Sequence, residues 1–174
     1  MADVKSRLEV VEGDITKLDV DAIVNAANDR LARGGGVCGA IHEAAGRELA
    51  EACRKIGGCP TGEARLTPGF KLKAKHVIHA VGPVWHGGAN REDALLADAY
   101  RSSLELARQH KIASIAFPAI STGIYGYPLD RATDIAVHAV ADFLRTGEVP
   151  GRVIFACFGG DVAAAYRTAL AGLR

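Results

Sequence analysis

Short apolar segments alternate along this chain with longer segments whose apolar residues recur at helical spacing, and this alternation constrains the fold more than any other feature. Strands are predicted at 7–12, 21–24, 63–67, 76–81, 114–117 and 152–158, and helices at 37–56, 94–110, 130–143 and 161–173. Such alternation is typical of an α/β fold, in which a layered sheet carries helices on both faces. The chain has 174 residues and no shift in composition, so we expect one domain over 1–174.

Two unusual loops each follow a predicted strand and precede a predicted helix. Residues 25–36 read NAANDRLARGGG, and residues 118–128 read PAISTGIYGYP. Ligands of such sheets bind at the carboxyl ends of the strands. We therefore expect the two loops to lie side by side at one edge of the sheet.

Both loops have the composition of an anion site. Gly34, Gly35 and Gly36 leave backbone N–H groups unshielded, and the positive end of the dipole of the next helix points at them. The second loop offers hydroxyls, glycines and N–H groups before a helix in the same way, over 121–126. A single glycine would usually indicate only a turn that needs positive φ. Two such loops facing each other predict a diphosphate site.

The segment Gly34–Gly39 also matches the pattern GxGxxG of dinucleotide-binding folds. That pattern should follow its strand directly and be followed about 20 residues later by an acidic residue. Here residues 25–33 intervene, and residues 59–62 read CPTG, without a carboxylate. We interpret the match as accidental, and we predict no cofactor.

Composition argues against several classes of partner. The net charge is +1 and no basic run stands out, so neither nucleic acid nor an anionic membrane surface is indicated. No apolar run approaches the roughly 20 residues of a membrane helix, and the first residues lack the apolar core of a signal peptide. The four cysteines fit neither a disulfide scaffold nor a paired zinc motif. We expect reduced thiols in a cytoplasmic protein.

Five segments, taken in order, resemble the motifs of the macrodomain family, whose members bind ADP-ribose. They are Gly13-Asp14-Ile15-Thr16, Val24-Asn25-Ala26-Ala27-Asn28, Gly34-Gly35-Gly36-Val37 running into Gly39-Ala40-Ile41-His42, Val77-Ile78-His79-Ala80-Val81-Gly82-Pro83, and Phe117-Pro118-Ala119-Ile120-Ser121-Thr122-Gly123-Ile124-Tyr125. The resemblance implies a three-layer α/β/α sandwich with a central mixed sheet. It is closest to the hydrolase branch, which removes ADP-ribose from acidic side chains and deacetylates O-acetyl-ADP-ribose. Its small members are often monomers, and we expect a monomer here.

The resemblance also implies a role for each matching residue. Asp14 and the Ile15 N–H would bind adenine, and Phe158 would stack on it, although Phe158 could equally belong to the core and Asp14 to a turn. Asn25 and Asn28 both belong to the implied ligand-binding set: Asn28 would bind the distal ribose, while Asn25 would chiefly hold the loop together. The remaining ligand contacts fall to Gly35, Gly36, Val37, Ser121, Thr122, Gly123, Ile124 and Tyr125.

Cys38 departs from the family pattern, since the hydrolase branch usually reads GGGVDG with an aspartate at this position. That aspartate is thought to orient the attacking water, and a thiol is a poor substitute because it is a weak acceptor. Related macrodomains with a small apolar residue here rely on the asparagine and on a phosphate of the substrate, so we predict a hydrolase with Asn28 central. A non-catalytic ADP-ribose reader is the alternative. His42 is the only nearby residue that could activate Cys38 as a nucleophile. It is also the only nearby second ligand for a metal at Cys38, and two protein ligands are fewer than a zinc site needs.

Two further aromatic side chains are predicted to be structural. His79 lies on the strand HVIHAV and is expected to be a satisfied core histidine rather than a base. Trp85 follows Gly82-Pro83 and is expected to fix a loop to the body of the domain.

Overall fold

A computed structural model describes residues 3–173 and contains six strands and five α-helices within them. The strands are β1 (Leu8–Glu12), β2 (Ala22–Ala27), β3 (Ala64–Pro68), β4 (His76–Val81), β5 (Ser114–Phe117) and β6 (Arg152–Cys157). The helices are α1 (Gly36–Ala45), α2 (Arg47–Ile56), α3 (Glu92–Gln109), α4 (Leu129–Leu144) and α5 (Gly160–Ala171). Short 3-10 turns lie at Val4–Arg7 and Ile15–Lys17.

The strands form one mixed sheet in the order β1-β6-β5-β2-β4-β3. All neighbours pair in parallel except β3, which pairs antiparallel with β4 at the edge of the sheet. The carboxyl ends of the five parallel strands therefore meet at one edge. The predicted mixed sheet is confirmed.

Two apolar cores enclose the sheet and make the protein three-layered. Alternate side chains of β2 point to opposite faces, as the pleat requires: Ile23 joins the core beneath α1 and α2, whereas Val24 joins the core beneath α3, α4 and α5. Fully buried residues such as Ile41 and Leu49 anchor the smaller layer, and each such side chain stabilises the fold by about 1.5–3 kcal/mol. The expected α/β/α sandwich is confirmed.

The helix predicted over 37–56 is two helices, so that prediction was wrong. Gly46 has φ +90° and separates α1 from α2, and its N–H still donates to the carbonyl of His42. A side chain there would lie 2.9 Å from the Glu48 carboxylate in a backbone conformation that favours glycine. The apolar periodicity continues across the break, which is why the sequence pattern conceals it.

Strand β2 is longer than predicted, because it continues to Ala27 instead of ending before Asn25. Asn25 is therefore a strand residue and is 1% exposed. Its polar side chain is accommodated by His79 on the neighbouring strand, whose Nδ1 lies 3.1 Å from the Asn25 Nδ2. No helix within residues 3–173 has the length and apolarity needed to cross a bilayer.

Candidate functional site

A cleft of about 710 Å³ opens at the carboxyl ends of the parallel strands, between the two loops that the sequence singles out. This volume is typical of a small-molecule site. The cleft is lined by predicted residues Asp14, Ile15, Asn28, Gly35, Gly36, Val37, Cys38, Ser121, Thr122, Gly123, Ile124, Tyr125 and Phe158. The expectation that the loops lie side by side is confirmed.

The glycine loop presents bare backbone to the cleft where α1 begins. Gly36 has φ +56°, and a side chain on Gly39 would lie 2.8 Å from the Gly34 carbonyl, so the loop packs directly on the first turn of the helix. A Cβ on Gly35 would lie 3.9 Å from the Cδ1 of Ile124 on the opposite loop. The two loops therefore nearly meet across the cleft, at the N-terminus of α1, where an anion is favoured.

The second loop contains a strained residue. Ser121 has φ +69°, which is uncommon for a residue other than glycine. Its hydroxyl is buried and has no hydrogen-bond partner among residues 3–173. Gly82, at the end of β4, leaves room for it, since a Cβ there would overlap the Ser121 Oγ. The hydroxyl thus lies in the wall of the cleft with its hydrogen-bonding capacity unused.

Asp14 and Phe158 lie on the wall formed by the residues after β1 and β6. The Asp14 Oδ1 accepts hydrogen bonds from the Thr16 N–H (2.9 Å) and hydroxyl (2.7 Å). These bonds lower the pKa of Asp14 below its usual value, so the carboxylate is charged and its Oδ2 remains for another donor. Phe158 is 70% exposed, so the structure places it on the rim of the cleft and not in the core.

The side chain of Asn28 organises the loop that it begins. Its Oδ1 accepts from the N–H groups of Arg30 (3.1 Å) and Ala32 (3.0 Å), and its Nδ2 donates to the Ala32 carbonyl (2.9 Å). Three hydrogen bonds fix the amide in one orientation. The second hydrogen of the Nδ2 remains available at the cleft, because an NH₂ group has two donors.

Cys38 is 5% exposed and contacts the backbone of the same loop. Its Sγ accepts from the Gly34 N–H at 3.4 Å and lies 3.8 Å from the Ala32 carbonyl, to which the thiol donates. His42, one turn further, is buried and is not among the cleft residues. Burial, and then the charge of Arg33, lower the pKa of His42. The geometry does not pair His42 with Cys38 as an activating base.

Asn25 is the one predicted ligand residue that does not line the cleft, and the prediction that it contacts ligand does not fit this placement. It lies beneath the cleft, against His79, which is fully buried and whose Nε2 is 2.9 Å from the Thr67 hydroxyl. His79 is a satisfied core histidine, as predicted. Trp85 also fits its prediction, because its ring packs against the larger core and on Tyr127.

The cleft also has lining residues that sequence reasoning did not assign to the ligand. They are Gly13, Ala26, Ala27, Ala40, Gly82, Pro118, Ala119, Ile120, Ala156 and Val162, whereas Gly34 belongs to the predicted glycine loop. Most of them lie where a predicted strand ends or a helix begins, which is the signal that could have identified them. Among the residues described, no group of three or more histidine, cysteine, aspartate or glutamate side chains could hold a metal ion.

Comparison with known proteins relates this cleft to those of other chains. The macro domain family profile matches residues 24–136. A macro domain-containing protein of Mesorhizobium japonicum is 56% identical over 174 residues, covering all of this chain and 99% of the relative. An O-acetyl-ADP-ribose deacetylase of Salmonella gallinarum is 55% identical over 165 residues, covering 92% of each chain.

Solved structures show the same architecture. A variant of the Oceanobacillus iheyensis macrodomain with ADPR superposes with a TM-score of 0.91 at 44% identity, covering 94% of this chain and 91% of that one. The Trypanosoma brucei macrodomain in complex with ADP-ribose superposes with a TM-score of 0.90 at 43% identity, covering 96% of this chain and 71% of that one. The matched profile, the full-length relatives and the shared fold together show that the chain belongs to the macrodomain family.

Proposed function

We propose that this protein hydrolyses esters of ADP-ribose, either O-acetyl-ADP-ribose or ADP-ribose attached to glutamate or aspartate side chains of proteins. The observation that carries the proposal is the cleft itself, in which two backbone-rich loops face each other between an aromatic rim and a fixed asparagine. The name of the 55% identical Salmonella relative supports the deacetylase reaction. The reaction consumes water and yields ADP-ribose and a carboxylic acid.

The cleft offers a separate group for each part of the ligand. The free Oδ2 of Asp14 suits the exocyclic amine of adenine, and the exposed ring of Phe158 suits stacking on the base. The N–H groups of the loops at 35–37 and 123–125 suit the diphosphate. This order leaves the distal ribose beside Asn28.

Asn28 would act by orientation. Its three loop hydrogen bonds hold the amide still, so the remaining N–H can donate to a ribose hydroxyl without a further loss of side-chain freedom. Cys38 would support the same loop through Gly34 and Ala32 and would not activate water. In this scheme the attacking water is positioned by the ribose-bound loop and by a substrate phosphate.

The test is turnover of O-acetyl-ADP-ribose by the wild type, Asn28→Ala and Asn28→Asp, with Gln109→Ala, an exposed amide on α3 that does not line the cleft, as the matched control. We expect Asn28→Ala and Asn28→Asp to lose at least about tenfold in kcat/KM, since each lacks the donor. Gln109→Ala should be unchanged. Equal turnover by all four proteins, with folding verified, would contradict the role of Asn28.

The alternative function is a reader that binds ADP-ribose without cutting it, and the inward position of the Cys38 thiol favours it. Turnover by Cys38→Asp separates the two functions. An inert wild type that gains activity on this substitution would identify a reader. An active wild type that the substitution alters only modestly would support the hydrolase.

A further inference from the structure

The strained geometry of the loop at 121–127 needs an explanation outside the cleft. Ser121 keeps a positive φ although it is not glycine, and such a conformation persists only where surrounding structure enforces it. Within the loop, the Tyr127 N–H donates to the Ser121 carbonyl (3.0 Å), and the Gly126 N–H donates to that of Gly123 (3.0 Å). These bonds close the loop on itself but do not fix it to the domain.

Besides Ile120 and Tyr127, which lie in the core at its two ends, the loop is joined to the domain by the segment 85–90. The backbone N–H of Trp85 donates to the Tyr125 carbonyl at 2.9 Å, and the Trp85 ring packs on Tyr127 with ring centroids 4.7 Å apart. Gly87 and Gly88 both have positive φ, and residues 86–90 form neither helix nor strand. The N–H groups of this segment donate instead to a side chain.

That side chain is Glu92, at the start of α3. It is 1% exposed, and its carboxylate accepts hydrogen bonds from the N–H groups of His86 (2.9 Å), Gly88 (2.8 Å) and Asn90 (2.5 Å). Burial on its own would raise the pKa of Glu92, but these backbone donors lower it overall, so the group is a carboxylate. The buried, charged carboxylate of Glu92 therefore holds the surface segment 86–90 through its backbone N–H groups.

The neighbouring Asp93 supports the same loop from the other side. It accepts from the Tyr127 hydroxyl, and it pairs with Arg131 of α4 through two bonds of 2.9 and 2.5 Å. The Arg131 guanidinium also lies 5.1 Å from the centre of the Trp85 ring. Two consecutive carboxylates thus reach the loop through separate contacts, one through Trp85 and the other through Tyr127.

We propose that Glu92 and Asp93 are positioning residues for ADP-ribose: they hold the loop at 121–127 in its strained, binding-ready form without touching the ligand themselves. Glu92 would act through the segment 86–90 and Trp85, and Asp93 through Tyr127. Because the loop faces the diphosphate part of the cleft, the effect should be confined to ligands that carry a diphosphate. The inference rests on the proposed placement of the ligand and not on hydrolysis.

The test compares binding of ADP-ribose and of adenosine by calorimetry. Glu92→Gln replaces one of the two acceptor oxygens with an NH₂ group, and Glu105→Gln, an exposed glutamate on the same helix, is the matched control. We expect Glu92→Gln to weaken ADP-ribose binding by about fivefold or more, the effect of losing a well-placed hydrogen bond, and to leave adenosine binding within about twofold. Glu105→Gln should change neither.

The ratio of the two affinities identifies a positioning role, because a general loss of structure would weaken both ligands together. Equal weakening of both ligands, or no weakening of either, would overturn the inference. If Glu92→Gln does not fold, Asp93→Asn provides the same comparison at a half-exposed position, with Asp98→Asn as its control. A wild type that binds ADP-ribose but releases no carboxylic acid would refute the proposed hydrolase and leave this test intact.

Discussion

Protonation of the buried His79 should destabilise the fold in mildly acidic solution. The ring is fully buried beneath the cleft, where its Nε2 lies 2.9 Å from the Thr67 hydroxyl and its Nδ1 lies 3.1 Å from the Asn25 amide nitrogen. The Thr67 hydroxyl donates to the Pro68 carbonyl, so the neutral ring donates from Nε2 and accepts at Nδ1. Burial, and then the nearby His42, lower the pKa of His79 from 6.5 to about 4.

The size of the effect follows from that shift. Between pH 6.5 and pH 4 the unfolded chain binds a proton at this histidine and the folded chain does not, so the free energy of unfolding falls as the pH falls. Each pH unit in this window lowers the free energy of unfolding by about 1.4 kcal/mol, and the whole window lowers it by about 3 kcal/mol. The contribution is complete above pH 6.5 and lost near pH 4. For a domain whose net stability is typically about 5–15 kcal/mol, this is a large share.

The assay is urea unfolding of the wild type and of His79→Gln at intervals from pH 7.5 to pH 4. Glutamine has a donor and an acceptor but lacks the buried ring, so we expect the variant to be less stable than the wild type at neutral pH. Because glutamine does not titrate, the stability of the variant should depend less on pH. The difference between the two free energies of unfolding should shrink by about 1.4 kcal/mol per pH unit below pH 6.5. Parallel curves over this range would refute the assignment of His79 as a buried neutral ring.

Three further substitutions have expected outcomes. Gly82→Ala places a Cβ against the Ser121 Oγ and should destabilise the fold by about 1–3 kcal/mol in urea unfolding, whereas Gly151→Ala, whose Cβ would have no neighbour nearer than 3.9 Å, should change little. Phe158→Ala should leave the melting temperature unchanged because the ring is 70% exposed, yet weaken ADP-ribose binding in calorimetry by about 1–3 kcal/mol through lost stacking. Arg7→Met removes the donors to two carbonyls, at 2.8 and 2.6 Å, and should cost about 1–3 kcal/mol of stability in the same unfolding assay.

The position of the cleft was predictable because it follows from local rules. Each glycine-rich loop stands between a strand and a helix, and parallel strands bring such loops to one edge. What could not be predicted depends on contacts between distant residues. Asn25 looks like a loop residue until His79, 54 positions later, gives its amide a buried partner. The inward thiol of Cys38 depends likewise on the folded path of the glycine loop.

The glycine-rich and alanine-rich lining of the cleft has a consequence for recognition. A lining of this kind offers a ligand mainly peptide groups, so recognition there would depend on the path of the chain more than on the identity of its side chains. In the proposed placement of the ligand, substitutions at the few side chains beside the distal ribose would change turnover more than affinity for the nucleotide. Cys38, buried beneath the glycine loop, is at such a position. In the proposed function, a single substitution there would therefore separate catalysis from binding.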